Sequence, residues 1–232
     1  MLHQTKPSLP IHSYNQLFGA VNKMSHYSTV LTLYKRMTMM ASLQIHPDLW
    51  NFNILINSLC GLNQVDSAFS VLGCGYEPDA VTLNTILKGL CSNDEVSNAM
   101  ELFQKFQKTR YPLNVIAYNI IIDSLCKEGM VKDGLTLFSE MKKKRISPNL
   151  VTYNCLIHGL CNVGQWDEAK AHLKEMIYCR ILPNVITFNI LIDFLCTDGK
   201  VDLAFSVLGH IFRCSYEPAA QTLTTILKRS LQ

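Results

Sequence analysis

The stretch LVTYNCLIHGLCNVGQWDEAKAHLKEMIYCRILPN, residues 150–184, decides the fold because its pattern recurs on both sides. The neighbouring stretches, 115–149 and 185–219, also have 35 residues and the same order of apolar, small and polar positions. An asparagine recurs at intervals of 38, 31, 35, 35 and 35 residues, at Asn15, Asn53, Asn84, Asn119, Asn154 and Asn189. A fixed period of this size is typical of solenoids, in which each repeat packs on its neighbours.

Each repeat contains two amphipathic helices. The first apolar stripe has helical spacing and comprises Tyr153, Leu156, Ile157, Leu160 and Cys161. Gly164 then provides a normal helix stop. The second stripe comprises Trp166, Ala169, Leu173 and Met176, and its helix is expected to end before Pro183. Neither helix can bury its stripe alone, so the hairpins must stack.

The sequence therefore predicts an all-α fold, an α-solenoid of stacked helical hairpins that forms a superhelix. An N-terminal segment, 1–10, precedes six repeats of about 35 residues, at 11–48, 49–79, 80–114, 115–149, 150–184 and 185–219. A partial seventh repeat occupies 220–232. Because this last repeat stops after one helix, we expect its apolar residues, Leu223, Ile226 and Leu227, to lack a partner helix.

The composition constrains the function only loosely. A net charge of +3 permits a polyanionic partner without requiring one. No apolar run approaches the length of about 18 to 20 residues that spans a bilayer, so membrane insertion is not expected. Five of the nine cysteines hold the same place in successive repeats: Cys60, Cys91, Cys126, Cys161 and Cys196. This recurrence, without any C-x-x-C, indicates buried packing residues in a reducing compartment rather than zinc or disulfides.

The repeated phrase resembles the pentatricopeptide repeat. The copies that carry the resemblance are VIAYNIIIDSLCKEGMVKDGLTLFSEMKKKRISPN at 115–149 and VITFNILIDFLCTDGKVDLAFSVLGHIFRCSYEPA at 185–219. The likeness extends over residues 11–232, and phrases such as YEPDAVTLNTILKGLC at 76–91 are most similar to the P-class, restorer-of-fertility-like group of plant organellar proteins. The competing tetratricopeptide repeat has W-x-x-L-G-x-x-Y in its first helix, and no copy here contains that phrase.

The resemblance implies that the chain binds single-stranded RNA, with about one base read per repeat. Members of the family read the base with the fifth and last residues of a repeat, while the second residue packs against it. The base-specifying positions here would be Asn15, Asp48, Asn53, Asp79, Asn84, Asn114, Asn119, Asn149, Asn154, Asn184, Asn189 and Ala219. The base-stacking positions would be His12, Trp50, Val81, Ile116, Val151 and Ile186.

The residue chemistry allows this role and also a simpler one. An asparagine carboxamide offers a donor and an acceptor to a base edge, and the start of a helix favours nearby phosphate. The last residues of the repeats are also ordinary helix N-caps, which need no ligand, and the two roles can coexist. Thr82, Thr152 and Thr187 stand two residues before the fifth-position asparagines and offer an alternative cap.

The family resemblance also implies a base preference. A pair of asparagine and aspartate favours uracil, and a pair of asparagines favours pyrimidines generally. The array would then read 5′-UUYYY-3′, with its first repeat toward the RNA 5′ end and a poorly specified base at the repeat of Asn189 and Ala219. The basic run 142–145 has two interpretations, charge at a helix C-terminus or a phosphate contact. Lys127 is a second candidate for contact with the RNA backbone.

Two departures from the family pattern are expected to matter. The second repeat has only 31 residues, because the segment that corresponds to 210–213 is missing, so its second helix should be about one turn shorter. Segment 1–10 is too short and too poor in arginine for an organellar transit peptide, although the resemblance favours a mitochondrial location over a chloroplast one. The chain therefore resembles a truncated or degenerate member.

The sequence contains no catalytic signature, cofactor motif or metal-ligand pattern. The H-x-E and C-x-x-C residues of deaminase-like relatives are absent, as are phosphate-binding and nucleophile-elbow motifs. The expected partner is a single-stranded organellar transcript, and a nuclease or another RNA-processing protein is a second candidate partner. The alternative is a protein-interaction scaffold, or a degenerate copy that has lost RNA binding. The oligomeric state is not indicated.

Overall fold

The computed structural model describes residues 11–39, 48–72, 78–108, 113–213, 217–218 and 220–230. Within these ranges the protein is all-α, without strands, and none of its helices is long and apolar enough to cross a membrane. The helices are α1 Ile11–Lys23, α2 Tyr27–Met39, α3 Leu49–Gly61, α4 Val65–Leu72, α5 Ala80–Ser92, α6 Val96–Gln107, α7 Val115–Lys127, α8 Val131–Lys143, α9 Leu150–Asn162, α10 Trp166–Tyr178, α11 Val185–Thr197, α12 Val201–Arg213 and α13 Ala220–Ser230.

The helices belong to two compact units, Met1–Leu113 with α1–α6 and Asn114–Gln232 with α7–α13. In the first unit α1 packs on α3 and α3 on α5, while each of α2, α4 and α6 packs on the odd-numbered helix before it. In the second unit α7, α9, α11 and α13 form the same kind of layer, flanked by α8, α10 and α12. Each unit is therefore an α-solenoid of stacked helical hairpins, as the sequence predicts.

The hairpin turns form at the residues that the repeat pattern indicated. Gly129, Gly164 and Gly199 have φ angles of +76°, +74° and +74°, a left-handed conformation that glycine adopts without steric strain. In each case the helix ends two residues earlier, and the next helix begins two residues later. The stop predicted at Gly164, after α9, is confirmed, and α7 and α11 end in the same way.

The stripe and cysteine positions form the core between successive repeats. Tyr153, Leu156, Ile157 and Leu160 are at most 1% exposed. Cys126 is buried against Gly159 of the next repeat, where an added Cβ would lie only 2.6 Å from the Cys126 Cβ. Burial raises the pKa of the Cys126 thiol to about 12, so it remains protonated. The packing role predicted for the recurring cysteine is confirmed at this seam and at its counterpart between Cys60 and Gly89.

The last helix differs from expectation. The prediction that Ile226 lacks a packing partner is wrong, because α13 packs on α11 and α12 and leaves Ile226 only 1% exposed. Leu223 and Leu227 are 36% and 59% exposed. The shortening of α4 stays a prediction, since residues 73–77 lie outside the described ranges.

Candidate nucleic-acid interface

In five repeats, the last residue is the N-cap of the first helix of the next repeat. The Asp79 side chain accepts a hydrogen bond from the Thr82 backbone N–H at 2.8 Å, and Asn149 accepts one from the Thr152 N–H at 3.1 Å. The same N-cap contact recurs at Asp48, Asn114 and Asn184. Capping is therefore a real role of these five residues. The carboxyl or amide oxygen satisfies a backbone donor that has no partner inside the helix.

In two repeats, the fifth residue forms a hydrogen bond with the last residue of the same repeat. Asn15 Nδ2 donates to Asp48 Oδ2 at 2.8 Å, and Asn119 Nδ2 donates to Asn149 Oδ1 at 3.1 Å. Two positions that are about one repeat apart in sequence are thus brought into direct contact. In each of these two pairs, the structure therefore brings the two predicted base-specifying residues together.

A threonine from the following repeat holds the fifth-position asparagine from its other side. The hydroxyls of Thr82, Thr152 and Thr187 donate to the Oδ1 atoms of their asparagine partners at 2.5, 2.6 and 2.7 Å, and these partners are Asn53, Asn119 and Asn154. The alternative that the threonines are themselves the N-caps is wrong. Each occupies the third helical position and closes a capping box by accepting from the backbone N–H of the true cap.

Two repeats replace this threonine. Position 51 is asparagine in the second repeat, and its Nδ2 donates to Asn15 Oδ1 at 2.5 Å. Position 117 is alanine, which supplies no side-chain donor. The role of this third position was not predicted from the sequence, although threonine recurs three residues after the last residue of a repeat.

The remaining predicted base-specifying residues do not all form such pairs. Asn189 Oδ1 is buried and has no hydrogen-bond partner among the described residues. Its predicted mate, Ala219, lies outside the described ranges. Asn84 is half-buried on α5 in the first unit, and Asn114 caps α7 in the second unit.

Five of the six predicted stacking residues are apolar and exposed in the first turn of a packed helix. Exposed fractions are 44% for Trp50 and 52% to 57% for the aliphatic members, which are Val81, Ile116, Val151 and Ile186. His12 is also exposed, and its Nε2 lies 3.0 Å from Gln16 Nε2. In five repeats the exposed apolar side chain stands three residues before the fifth-position asparagine, so each of these helices offers an apolar surface and an amide together.

The two capping aspartates carry negative charge on this surface. Burial acts to raise the pKa of Asp48 and Asp79, but the hydrogen bonds that they accept outweigh it and hold both pKa values below the usual 3.8. The donors to Asp48 come from Asn15 and Asn51, and those to Asp79 come from Thr82 and Asn53. Both carboxyl groups are therefore ionised acceptors at neutral pH.

Three of the five candidate phosphate contacts form ion pairs with acidic side chains. Lys127 pairs with Asp123 at 2.6 Å, four residues away on α7. In the basic run, Lys142 pairs with Glu175 at 2.5 Å and Lys144 with Glu140 at 2.7 Å. The position of this run at the end of α8 is also favourable for the helix dipole. Across the described ranges, no group of His, Cys, Asp and Glu residues could hold a metal ion.

Comparison with family models identifies the repeats. The PPR repeat family model matches residues 113–162, 148–197 and 183–230, and a second PPR repeat model matches 43–73 and 74–105. The chain belongs to the pentatricopeptide repeat (PPR) family. These matches cover most of the chain, and the resemblance inferred from the repeated phrase is confirmed.

Curated relatives of this PPR chain are plant proteins. A putative mitochondrial PPR-containing protein of Arabidopsis thaliana is 30% identical over 106 residues, which are 44% of this chain and 17% of that protein. Protein Rf1, mitochondrial, from Oryza sativa subsp. indica is 31% identical over 96 residues, which are 40% of this chain and 12% of that protein. The chain thus matches less than one fifth of the length of either relative.

Solved structures share the fold. The crystal structure of PPR10 from maize is similar over 96% of this chain and 36% of its own, with a TM-score of 0.66 and 20% identity. PPR10 in complex with an 18-nucleotide psaJ RNA element gives a TM-score of 0.68 at the same identity, over 96% of this chain and 38% of its own. At this identity the likeness concerns the fold alone.

Proposed function

We propose that this PPR chain binds single-stranded RNA without catalysing a reaction, with about one base recognised per repeat and a preference for pyrimidines. The observation that carries the proposal is the recurrence, on the first helix of successive repeats, of an exposed apolar residue and a hydrogen-bonded asparagine. A base can stack on the first and hydrogen-bond with the second. The structure of PPR10 with an RNA element supports RNA as the ligand of this fold.

The pairing of fifth and last residues gives each repeat its own chemistry. Asn15 with Asp48 and Asn53 with Asp79 present an amide beside a carboxylate, the combination that favours uracil in the family. In the sequence, Asn84 and Asn114, Asn119 and Asn149, and Asn154 and Asn184 are pairs of asparagines, the combination that favours pyrimidines generally in the family. The proposed target is 5′-UUYYY-3′, followed by one weakly specified base at the repeat of Asn189 and Ala219.

The cellular role follows from the relatives that the chain matches. Two of them are named as mitochondrial proteins of plants. We therefore propose that the chain acts on a mitochondrial transcript, in its processing, stability or translation. It would do so by masking or remodelling a single-stranded segment, alone or together with a nuclease or another processing protein.

The proposal is tested by fluorescence anisotropy with labelled RNA. The oligonucleotides contain 5′-UUCCU-3′ or the corresponding all-adenine segment, and each titration is repeated at two salt concentrations. We expect tighter binding to the pyrimidine sequence and weaker binding at higher salt, because phosphate contacts release counterions. Asn119→Ala combined with Asn154→Ala should weaken the preference for pyrimidines, because two of the five reading repeats lose their asparagine.

The control is Asn98→Ala combined with Asn162→Ala, which removes two exposed asparagines outside the fifth-position column. This variant should bind as the wild type does. Equal affinity for both RNAs, or no binding by a folded wild-type protein, would contradict the proposal. The second result would favour the alternative function, a scaffold for another protein.

A further inference from the structure

The hydroxyl group of Thr152 has one proton, and its surroundings decide where that proton points. The oxygen accepts a hydrogen bond from the Asn149 backbone N–H at 3.1 Å, which completes the capping box of α9. The nearest acceptor for the hydroxyl proton is Asn119 Oδ1 at 2.6 Å, whereas Asn149 Oδ1 lies at 3.1 Å and already accepts the Thr152 N–H. The capping box thus directs the hydroxyl proton toward Asn119.

This contact determines the orientation of the Asn119 carboxamide. A carboxamide has an acceptor oxygen on one side and a donor NH₂ on the other, and the two orientations have nearly the same shape. With Oδ1 held by the Thr152 hydroxyl, only Nδ2 is directed away from the threonine. One of its two protons is donated to Asn149, at 3.1 Å, and the other is the one that a ligand would have to reach, since Asn119 is 8% exposed.

The same polarity recurs in the described pairs. Asn154 accepts through Oδ1 from Thr187 in the same way. The Thr82 hydroxyl lies 2.5 Å from Asn53 Oδ1 and 2.8 Å from Asp79 Oδ1, so its shorter contact is with the asparagine. Both threonines accept from the backbone N–H of their own cap. Asn51, which replaces the threonine in the second repeat, also donates a hydrogen bond to the Oδ1 atom of the fifth-position residue, Asn15. The carboxamides of Asn15, Asn53, Asn119 and Asn154 are therefore oriented so that Oδ1 accepts from the next repeat and Nδ2 remains as the donor.

We propose that the third-position threonine is a positioning residue, which fixes the carboxamide of the preceding repeat so that its Nδ2 donor faces the base. The inference rests on the proposed function, because it concerns how the asparagine reads RNA. A fixed donor selects a base that offers an acceptor, such as the O2 or O4 atom of uracil. A reversed carboxamide would instead accept from an exocyclic amine, such as N6 of adenine.

The test measures selectivity at one position of the RNA. Two oligonucleotides differ only in the fourth base of the proposed target, uracil or adenine, which faces the repeat of Asn119 and Asn149. In Thr152→Val, which has nearly the same shape without the hydroxyl, we expect the preference for uracil to fall from on the order of tenfold to about twofold or less. Selectivity at the other positions should not change, and Thr152→Ser, which retains the donor, should keep the wild-type preference.

Controls separate positioning from stability. Thr136→Val removes an exposed hydroxyl of α8, which donates to a carbonyl of its own helix, and should behave as the wild type. Thr187→Val applies the same test to Asn154 if Thr152→Val does not fold. A uniform loss of affinity at every position, or an unchanged preference in a folded Thr152→Val protein, would overturn the inference and leave the proposed function intact. If the wild type does not bind RNA, the proposed function and the inference both fail.

Discussion

Asn119 Nδ2 donates a hydrogen bond to Asn149 Oδ1 across 3.1 Å, although the two residues are 30 positions apart. The same Oδ1 atom accepts the Thr152 backbone N–H and thereby caps α9. One amide oxygen therefore takes part in both the start of a helix and the proposed base-reading pair. Stability and recognition are coupled at this atom, and substitutions at position 149 can separate them.

Asn149→Ala should lower both stability and selectivity. Loss of an N-cap typically decreases the free energy of unfolding by about 1 kcal/mol, and the Asn119 amide also loses its partner. Asn149→Asp should keep the cap, because a carboxylate accepts the same N–H and is favoured at a helix N-terminus. Under the proposed function this second variant should shift the fourth base of the target toward uracil.

Urea unfolding measures the first effect, and RNA anisotropy with uracil or cytosine at the fourth position measures the second. The prediction fails for recognition if Asn149→Asp and the wild type have the same ratio of affinities for these two RNAs. It fails for capping if Asn149→Ala unfolds at the same urea concentration as the wild type.

Ile116→Ala should weaken RNA binding by about 1 kcal/mol, or about fivefold, because the exposed side chain would no longer support a base. Ile177→Ala is a matched control, since Ile177 is 50% exposed on α10 and Ile116 is 53% exposed on α7. Both variants should change the free energy of unfolding by a similar small amount. Equal RNA affinities of the two variants in anisotropy titrations would show that Ile116 does not contact RNA.

Gly159→Ala should destabilise the protein by about 1–3 kcal/mol, because the added methyl group overpacks the seam. Its Cβ would lie 2.6 Å from the Cys126 Cβ and 2.7 Å from the Cys126 Sγ. Gly209→Ala on α12 would meet no atom within 4 Å and should instead stabilise the helix by about 0.5–1 kcal/mol. Thermal unfolding of the two variants should therefore shift in opposite directions, and a shift in the same direction would contradict the proposed tight approach.

Acidification should remove part of the stability that Asp79 provides. Its pKa is lower in the folded protein than the usual 3.8, so its contribution is fully present above about 3.8 and is lost as the pH falls through the folded value. Asp79→Asn retains an oxygen for the cap and does not titrate. The advantage of the wild type over this variant, in the free energy of unfolding, should shrink below about pH 4. An advantage that does not change with pH would show that the carboxylate is not stabilised by folding.

The repeat period, the hairpin and the buried stripes could be predicted from the sequence because each is a local pattern that recurs. The helix stop at Gly164, for example, needs only the residue type and its place after an apolar stripe. The packing of Ile226 was predicted wrongly, because only a second helix of its own repeat was considered as a partner. Helices α11 and α12 of the preceding repeat also pack on α13.

The positions of the candidate site were predicted from the sequence, but the hydrogen bonds that connect them were not. Residue identity locates the asparagine of each repeat, whereas the orientation of its carboxamide depends on a hydroxyl that arrives from the next hairpin. Thr152 was first interpreted as a possible cap, since threonine near a helix start commonly has that role. Its actual contacts, with the backbone of Asn149 and the side chain of Asn119, become evident only once the two hairpins are stacked.

The contact between Thr152 and Asn119 has a consequence for engineering by repeat exchange. A hairpin cut out at the ends of residues 115–149 would carry Asn119 but leave behind the threonine that orients it. Transplanted in front of a repeat with alanine at the third position, as at Ala117, the same asparagine would be free to rotate its carboxamide. A segment that is transferred to another array should therefore continue past the end of the repeat and include the first turn of the helix that follows.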